Sequence, residues 1–103
     1  LKISMSCYLF DEIDAVMVGP YDISGSLGVP GQLMHPKVID ASKKVIKSCE
    51  KFGKSCGTQI SDPDKQNIIE LFDLGYTYAI LGSDLFVLWK WAEKMKNIIS
   101  SMR

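Results

Sequence analysis

The chain has 103 residues, with 12 Lys and Arg against 12 Asp and Glu and a single His; that length allows one small domain or a piece of a larger one. At 47% hydrophobic and 23% charged residues the composition is globular and not disordered. A formal net charge of zero argues against nucleic acid or an anionic membrane as partner, since both want a surplus of Lys and Arg. No apolar run approaches the roughly 20 residues that span a bilayer. The opening LKISMSCYLF lacks the long apolar stretch and small-residue cleavage site of a secretory signal, so a cytoplasmic location is expected. The cysteines are Cys7, Cys49 and Cys56. An odd number without C-x-x-C spacing speaks against both a common zinc site and a disulfide framework. Reduced, buried thiols are the simpler expectation.

Along the chain, Ile13 to Val18 is a short apolar run closed by Gly19-Pro20, which reads as a buried strand. The following YDISGSLGVPGQLMH is rich in Gly, Ser and Pro and reads as a long loop with room for one helical turn. Pro36 to Phe52 has a helix-starting Pro, a Gly just beyond its end and one apolar face, carried by Val38, Ile39, Val45, Ile46, Cys49 and Phe52. The five lysines of this stretch, including Lys43, Lys44 and Lys47, lie largely off that face, as a solvated surface. Ser55 to Ile60 is a second strand. Ser61-Asp62-Pro63 announces another helix by a capping side chain followed by Pro, and Gly75 ends it. Thr77 to Leu81 is the third strand, closed by Gly82. Ser83 or Asp84 can cap a last helix running to about Met102, on which Leu85, Leu88, Trp89, Ala92, Met95, Ile99 and Met102 share a face.

Alternating buried strands and amphipathic helices predict an α/β fold with a parallel sheet. In such folds ligands sit at the carboxyl ends of the strands. Here those ends are Gly19-Pro20-Tyr21-Asp22, Gln59-Ile60-Ser61-Asp62 and Gly82-Ser83-Asp84. Asp62 and Asp84 fit helix caps. Asp22 follows a Gly-Pro break and opens a run of small residues, Ser24 to Gly28; it is either the carboxylate of a capped turn or a hard oxygen ligand for Mg²⁺ or Mn²⁺. Gly25-Ser26-Leu27-Gly28 matches neither a nucleophile elbow nor a dinucleotide fingerprint. His35, directly before Pro36, reads as a surface or capping residue, and Cys56 lacks a partner for thiolate chemistry.

The segment Ile13-Asp14-Ala15-Val16-Met17-Val18-Gly19-Pro20-Tyr21-Asp22-Ile23-Ser24-Gly25-Ser26-Leu27-Gly28 resembles the strand and G-P-x-D-[LI]-S-x-S-[LM]-G loop of the HpcH/HpaI aldolase family, metal-dependent class II pyruvate aldolases on a TIM barrel. His35-Pro36, the G-K-x-x-G from Gly53 to Gly57, and Gly75 followed by Leu81-Gly82-Ser83-Asp84 also fit, and the similarity covers roughly residues 11 to 101. The resemblance implies a partial TIM barrel: residues 13–103 would be the three carboxyl-terminal β/α units, behind a divergent segment of residues 1–12. It implies that Asp22 binds a divalent metal ion (Mg²⁺, Mn²⁺ or Co²⁺), and that the backbone at Tyr21 and Asp22 helps hold the carboxylate of pyruvate. The implied reaction cleaves a 4-hydroxy-2-oxo acid to pyruvate and an aldehyde. The family's second ligand, a Glu, and its Gln, Arg and His contributors lie upstream and have no counterpart in residues 1–12. No catalytic residue is therefore assigned to this chain, and His35 matches only the family's helix-start His. Alternatives are a related lyase of the citrate-lyase β-subunit type, and a non-enzymatic α/β module that binds an anion or a protein.

A TIM barrel needs about 250 residues to close. Three units leave open strand edges and helix faces without partners. The chain alone is therefore expected to be marginally stable or a homo-oligomer, and inactive. Phe86, Val87 and Trp91 widen the apolar surface of the last helix, which suits a subunit contact.

Overall fold

The computed structural model describes residues 8–102. In chain order it consists of β1 (Ala15–Val18), α1 (Pro20–Ser26), α2 (Pro36–Lys51), β2 (Ser55–Ile60), α3 (Lys65–Leu74), β3 (Tyr78–Leu81) and α4 (Asp84–Ser101). The strands form one parallel sheet in the order β1-β2-β3. Ala15 pairs with Ser55, and Gly57 pairs with both Met17 and Tyr78. One edge of β1 and one edge of β3 carry no neighbouring strand among the described residues. The α/β class and the three β/α units are as the sequence leads one to expect.

Because side chains alternate across a strand, Val16, Val18, Cys56, Thr58, Ile60 and Ala79 share the face that meets the helices. There α2 supplies Val38, Val45, Ile46 and Cys49 to the buried core, joined by Ile23, Leu71 and Tyr76. The amphipathic face read from the sequence is thus the face that α2 buries. Its first turn is capped by His35, whose Nδ1 accepts from the Lys37 N–H at 3.2 Å. Phe52 is the C-cap and not a helical residue, and Gly53 follows at φ +66°, the left-handed conformation that releases a helix into a turn.

Several boundaries differ from the sequence reading. The residues after Gly19-Pro20 are not all loop: Pro20 starts the seven-residue α1, because its missing N–H and fixed φ suit a first helical position. Only the stretch from Leu27 to His35 is irregular. The helix expected from Ser61-Asp62-Pro63 starts later. Asp64 is its N-cap and makes a reciprocal capping box with Asn67, so Asp62 is not a cap. Ser83, not Asp84, caps α4 by accepting from the Phe86 N–H.

The largest difference concerns α4. Although its apolar residues share a face, no α4 residue is buried and the helix meets the other elements only sparsely. Leu85, Leu88 and Trp89 are all well over half exposed. At ~1.5 Å per residue a projecting helix of 18 residues accounts for the elongated outline of 60 × 28 × 22 Å. The radius of gyration, 16.9 Å, exceeds the ~13 Å of a closed domain of this length. The physical reason is a lack of covering elements: an apolar face needs a partner layer, and the described residues do not supply one. The same holds in milder form for α3, where Leu71 alone is buried while Ile69 and Phe72 stay open.

The divergent segment expected over residues 1–12 falls partly within the described residues. Residues 1–7, Cys7 among them, lie outside the described residues. Tyr8 is buried and stacks on Phe52 with ring centroids 5.7 Å apart. Lys54 Nζ donates to the Phe10 carbonyl oxygen at 3.0 Å. No helix among the described residues is long and apolar enough to cross a membrane.

Candidate functional site

The turn that carries Asp22 is built by its neighbours. Gly19 is the N-cap of α1 in an extended conformation and offers no capping side chain. Pro20 has no N–H, and the first intrahelical bond runs from Ile23 N–H to the Gly19 carbonyl oxygen at 3.0 Å. The N–H groups of Tyr21 and Asp22 therefore belong to the first turn, where a helix has no internal acceptors. They point toward the end where helical dipoles favour negative charge.

The carboxylate of Asp22 folds back beside Gly19. A Cβ at position 19 would lie 2.8 Å from Asp22 Oδ2, so this approach needs glycine. Asp22 is exposed and faces a cleft of about 150 Å³, lined by Val16, Met17, Val18, Gly19, Ile23, Ser26 and Val45. That cleft opens beside the carboxyl end of β1, as the strand-end argument requires.

Ser24 fixes the far side of the turn. It is fully buried. Its Oγ donates to the Tyr21 carbonyl oxygen at 2.6 Å and accepts from the Gly31 N–H at 3.0 Å. Val29 N–H donates to the Ser24 carbonyl oxygen at 2.9 Å. The small-residue run is thus tied down at Ser24, while Ser26 turns toward the Asp22 cleft. Neither role was read from the sequence. The signal was there in Ser24 lying three residues after Tyr21, a helical spacing hidden by reading the stretch as loop.

The strand leading to this turn is held from β2. Thr58 Oγ1, buried, donates to the Val18 carbonyl oxygen at 2.8 Å. At the tips of β2 and β3, Gln59 Nε2 donates to the Gly82 carbonyl oxygen at 3.0 Å. A second cleft of about 340 Å³ lies there, among Asp62, Pro63, Leu81, Phe86, Lys90 and Trp91. Asp62 pairs with Lys90 at 2.8 Å, and that hydrogen bond raises the ammonium pKa. Both side chains are largely exposed, so the pair adds little to stability.

The three strand-end acids are thus not brought together. Asp62 faces Lys90, Asp84 Oδ1 accepts from the Leu85 N–H, and Asp22 stands at its own cleft with Tyr21. Among the described residues no three His, Cys, Asp or Glu side chains gather as a metal cage. One carboxylate fits as a member of an oxygen ligand set for a divalent cation, which takes six or more ligands. The rest of such a set would come from water, substrate or residues outside this group.

Three parallel β/α units in the strand order β1-β2-β3 have the arrangement of consecutive units of a parallel β/α barrel. No protein-family model matches the chain. Its sequence is 32% identical over 83 residues to a pyruvate aldolase of Rhizobium etli, covering 81% of this chain and 32% of that protein. It is 34% identical over 85 residues to a 5-keto-4-deoxy-D-glucarate aldolase of Klebsiella pneumoniae, covering 82% and 32%. The crystal structure of an HpcH/HpaI aldolase from Desulfitobacterium hafniense superposes with a TM-score of 0.81 at 27% identity, covering 92% of this chain and 36% of that one. The chain is a homologue of the HpcH/HpaI aldolases, and it spans about a third of the length of the relatives it matches.

Proposed function

We propose that this chain contributes the Asp22 turn to a divalent-metal-assisted aldolase that cleaves a 4-hydroxy-2-oxo acid into pyruvate and an aldehyde. The observation that carries the reading is the Asp22 carboxylate laid against Gly19 at the tip of β1, beside two first-turn N–H groups. Relatives named pyruvate aldolase and 5-keto-4-deoxy-D-glucarate aldolase support the substrate class. They favour it over a citrate-lyase type of reaction and over a stand-alone binding module.

In this reading Asp22 is one of the ligands of a Mg²⁺, Mn²⁺ or Co²⁺ ion, which when bound supplies Lewis acidity for the enolate formed on cleavage. The N–H groups of Tyr21 and Asp22 hold the carboxylate of the pyruvate half, where the helix end favours an anion. Gly19 leaves room for the Asp22 carboxylate, and Ser24 keeps the turn in shape from behind. The cleavage itself needs a base to take the 4-hydroxyl proton as the C3–C4 bond breaks, its electron pair passing into the enolate. No residue of this chain is assigned that role, so the chain alone is expected to be inactive.

The test supplies the missing barrel units as a second polypeptide or in one chain, and assays pyruvate release with and without added divalent ion. Metal titration of that barrel with Asp22 beside Asp22→Asn should show a loss of affinity of about tenfold or more. Equal affinity removes Asp22 from the site. Cleavage of a 2-oxo acid by the well-dispersed monomeric chain alone overturns the division of labour.

A further inference from the structure

The sheet has a second face. Val16, Val18, Cys56, Thr58 and Ile60 point to the helices, so Met17, Gly57, Gln59, Tyr78 and Ile80 point the other way. On that side Met17 is 51% and Ile80 42% exposed, and the Tyr78 ring lies over Gly57. Gln59 brings a half-buried amide to this apolar floor, level with Ile80 in the register.

The Asp22 carboxylate reaches the same face. Gly19 is extended, at φ −104° and ψ 90°, so the alternation runs on past Val18 and a Cβ at Gly19 would point to the side of Met17. Asp22 Oδ2 lies 2.8 Å from that Cβ position. Val18 pairs with Thr58, which puts Gln59 one residue further on, level with Gly19 on a strand ~4.8 Å away. Asp22 and Gln59 are therefore neighbours at the tips of β1 and β2, where parallel β/α folds bind their ligands. The amide is also held in place: its Nε2 donates to the Gly82 carbonyl oxygen at 3.0 Å, and the Gly82 N–H donates to the Ile60 carbonyl oxygen at 2.7 Å. Among the described residues its Oε1 takes part in no hydrogen bond, although an amide oxygen can accept two.

We propose that Gln59 touches the substrate and sets its class: the amide oxygen accepts a hydrogen bond from a hydroxyl on the aldehyde half, at the carbon beyond C4. This rests on the aldolase reading of the Asp22 turn. With the pyruvate half on the first-turn N–H groups at the tip of β1, the rest of a 4-hydroxy-2-oxo acid extends one strand spacing toward β2 and meets Gln59. A hydroxyl there satisfies the fixed amide. An alkyl group in its place covers the amide without pairing it, between Met17 and Ile80, and a polar group left unpaired is what discriminates against such an analogue. The favoured aldehyde is thus hydroxylated and not a simple alkyl one.

The experiment uses the full chain completed with the missing barrel units, with Mg²⁺ added, and reads pyruvate release from a 4,5-dihydroxy-2-oxo acid and from its 5-deoxy counterpart. The wild type should favour the hydroxylated substrate in kcat/KM. Gln59→Met should lose about tenfold more on that substrate than on the deoxy one, the size of one hydrogen bond. Gln59→Asn, whose amide falls short by one methylene, should lose the preference as well. A merely structural role for the bond to Gly82 lowers both substrates alike, so equal losses overturn the proposal. So does a wild type that does not discriminate or prefers the deoxy substrate. Release of pyruvate from neither substrate by the wild type overturns the aldolase reading, and this assignment with it.

Discussion

The phenol of Tyr78 reaches across the whole sheet to the backbone of Val16: from β3 its ring passes over Gly57 of β2, and its hydroxyl donates to the Val16 carbonyl oxygen of β1 at 3.1 Å. One side chain thereby ties the third strand to the first. A Cβ at Gly57 would fall 2.4–2.5 Å from three atoms of that ring, so the crossing exists because position 57 has no side chain.

Two substitutions separate the ring from its hydroxyl. Gly57→Ala should destabilise the chain by about 1–3 kcal/mol, since the ring must move out of a packed position. Tyr78→Phe keeps the crossing and should cost about 0.5–1.5 kcal/mol for the lost hydrogen bond. Urea midpoints of the two variants check this. A larger loss for Tyr78→Phe than for Gly57→Ala would mean that the hydroxyl, and not the clearance over Gly57, dominates.

Gly19 makes a comparable demand near Asp22. Gly19→Ala places a methyl group 2.8 Å from Asp22 Oδ2, so the carboxylate must rotate away. In the completed barrel the expected outcome is weaker divalent-cation binding by calorimetric titration, with circular dichroism unchanged. Unaltered affinity would show that the carboxylate orientation seen here is not the binding one.

Ser24→Ala removes the buried hydroxyl that accepts from the exposed Gly31 N–H and donates to the Tyr21 carbonyl oxygen. A loss of about 0.5–1.5 kcal/mol for each lost hydrogen bond is expected. Faster amide hydrogen exchange should appear at Gly31, and exchange at Val45 in α2 should change less.

The uncovered stripe of α4 predicts association. Trp91 is 58% exposed and Leu88 67%, and contiguous apolar surface of this kind seeks a partner. Sedimentation should show concentration-dependent self-association of the chain, weakened in Trp91→Glu. Identical profiles for the two would exclude this face from the contact.

Much of the fold was legible because local chemistry decides it. Pro36 and Gly53 bracket α2, Gly75 at φ +115° ends α3, and each short apolar run became a parallel strand. The G-P-x-D motif places Tyr21 and Asp22 directly after β1, and their proposed roles come from the family resemblance. Less legible was α1, since a helix of seven residues rich in Gly and Ser has no periodicity long enough to read. The Asp62 cap was misplaced because two acids, Asp62 and Asp64, stand one residue apart from Pro63, and only the Asn67 partner distinguishes them.

The sequence by itself determined the three strands, the helices α2 to α4, and the acidic residue at the tip of β1. Those follow from periodicity, caps and breaks, all of which act within a few residues. Tertiary structure alone decided that Tyr78 crosses Gly57 and that Ser24 holds the Asp22 turn. It also decided that α4 stays uncovered, because whether an apolar face is buried depends on a partner layer and not on the face itself.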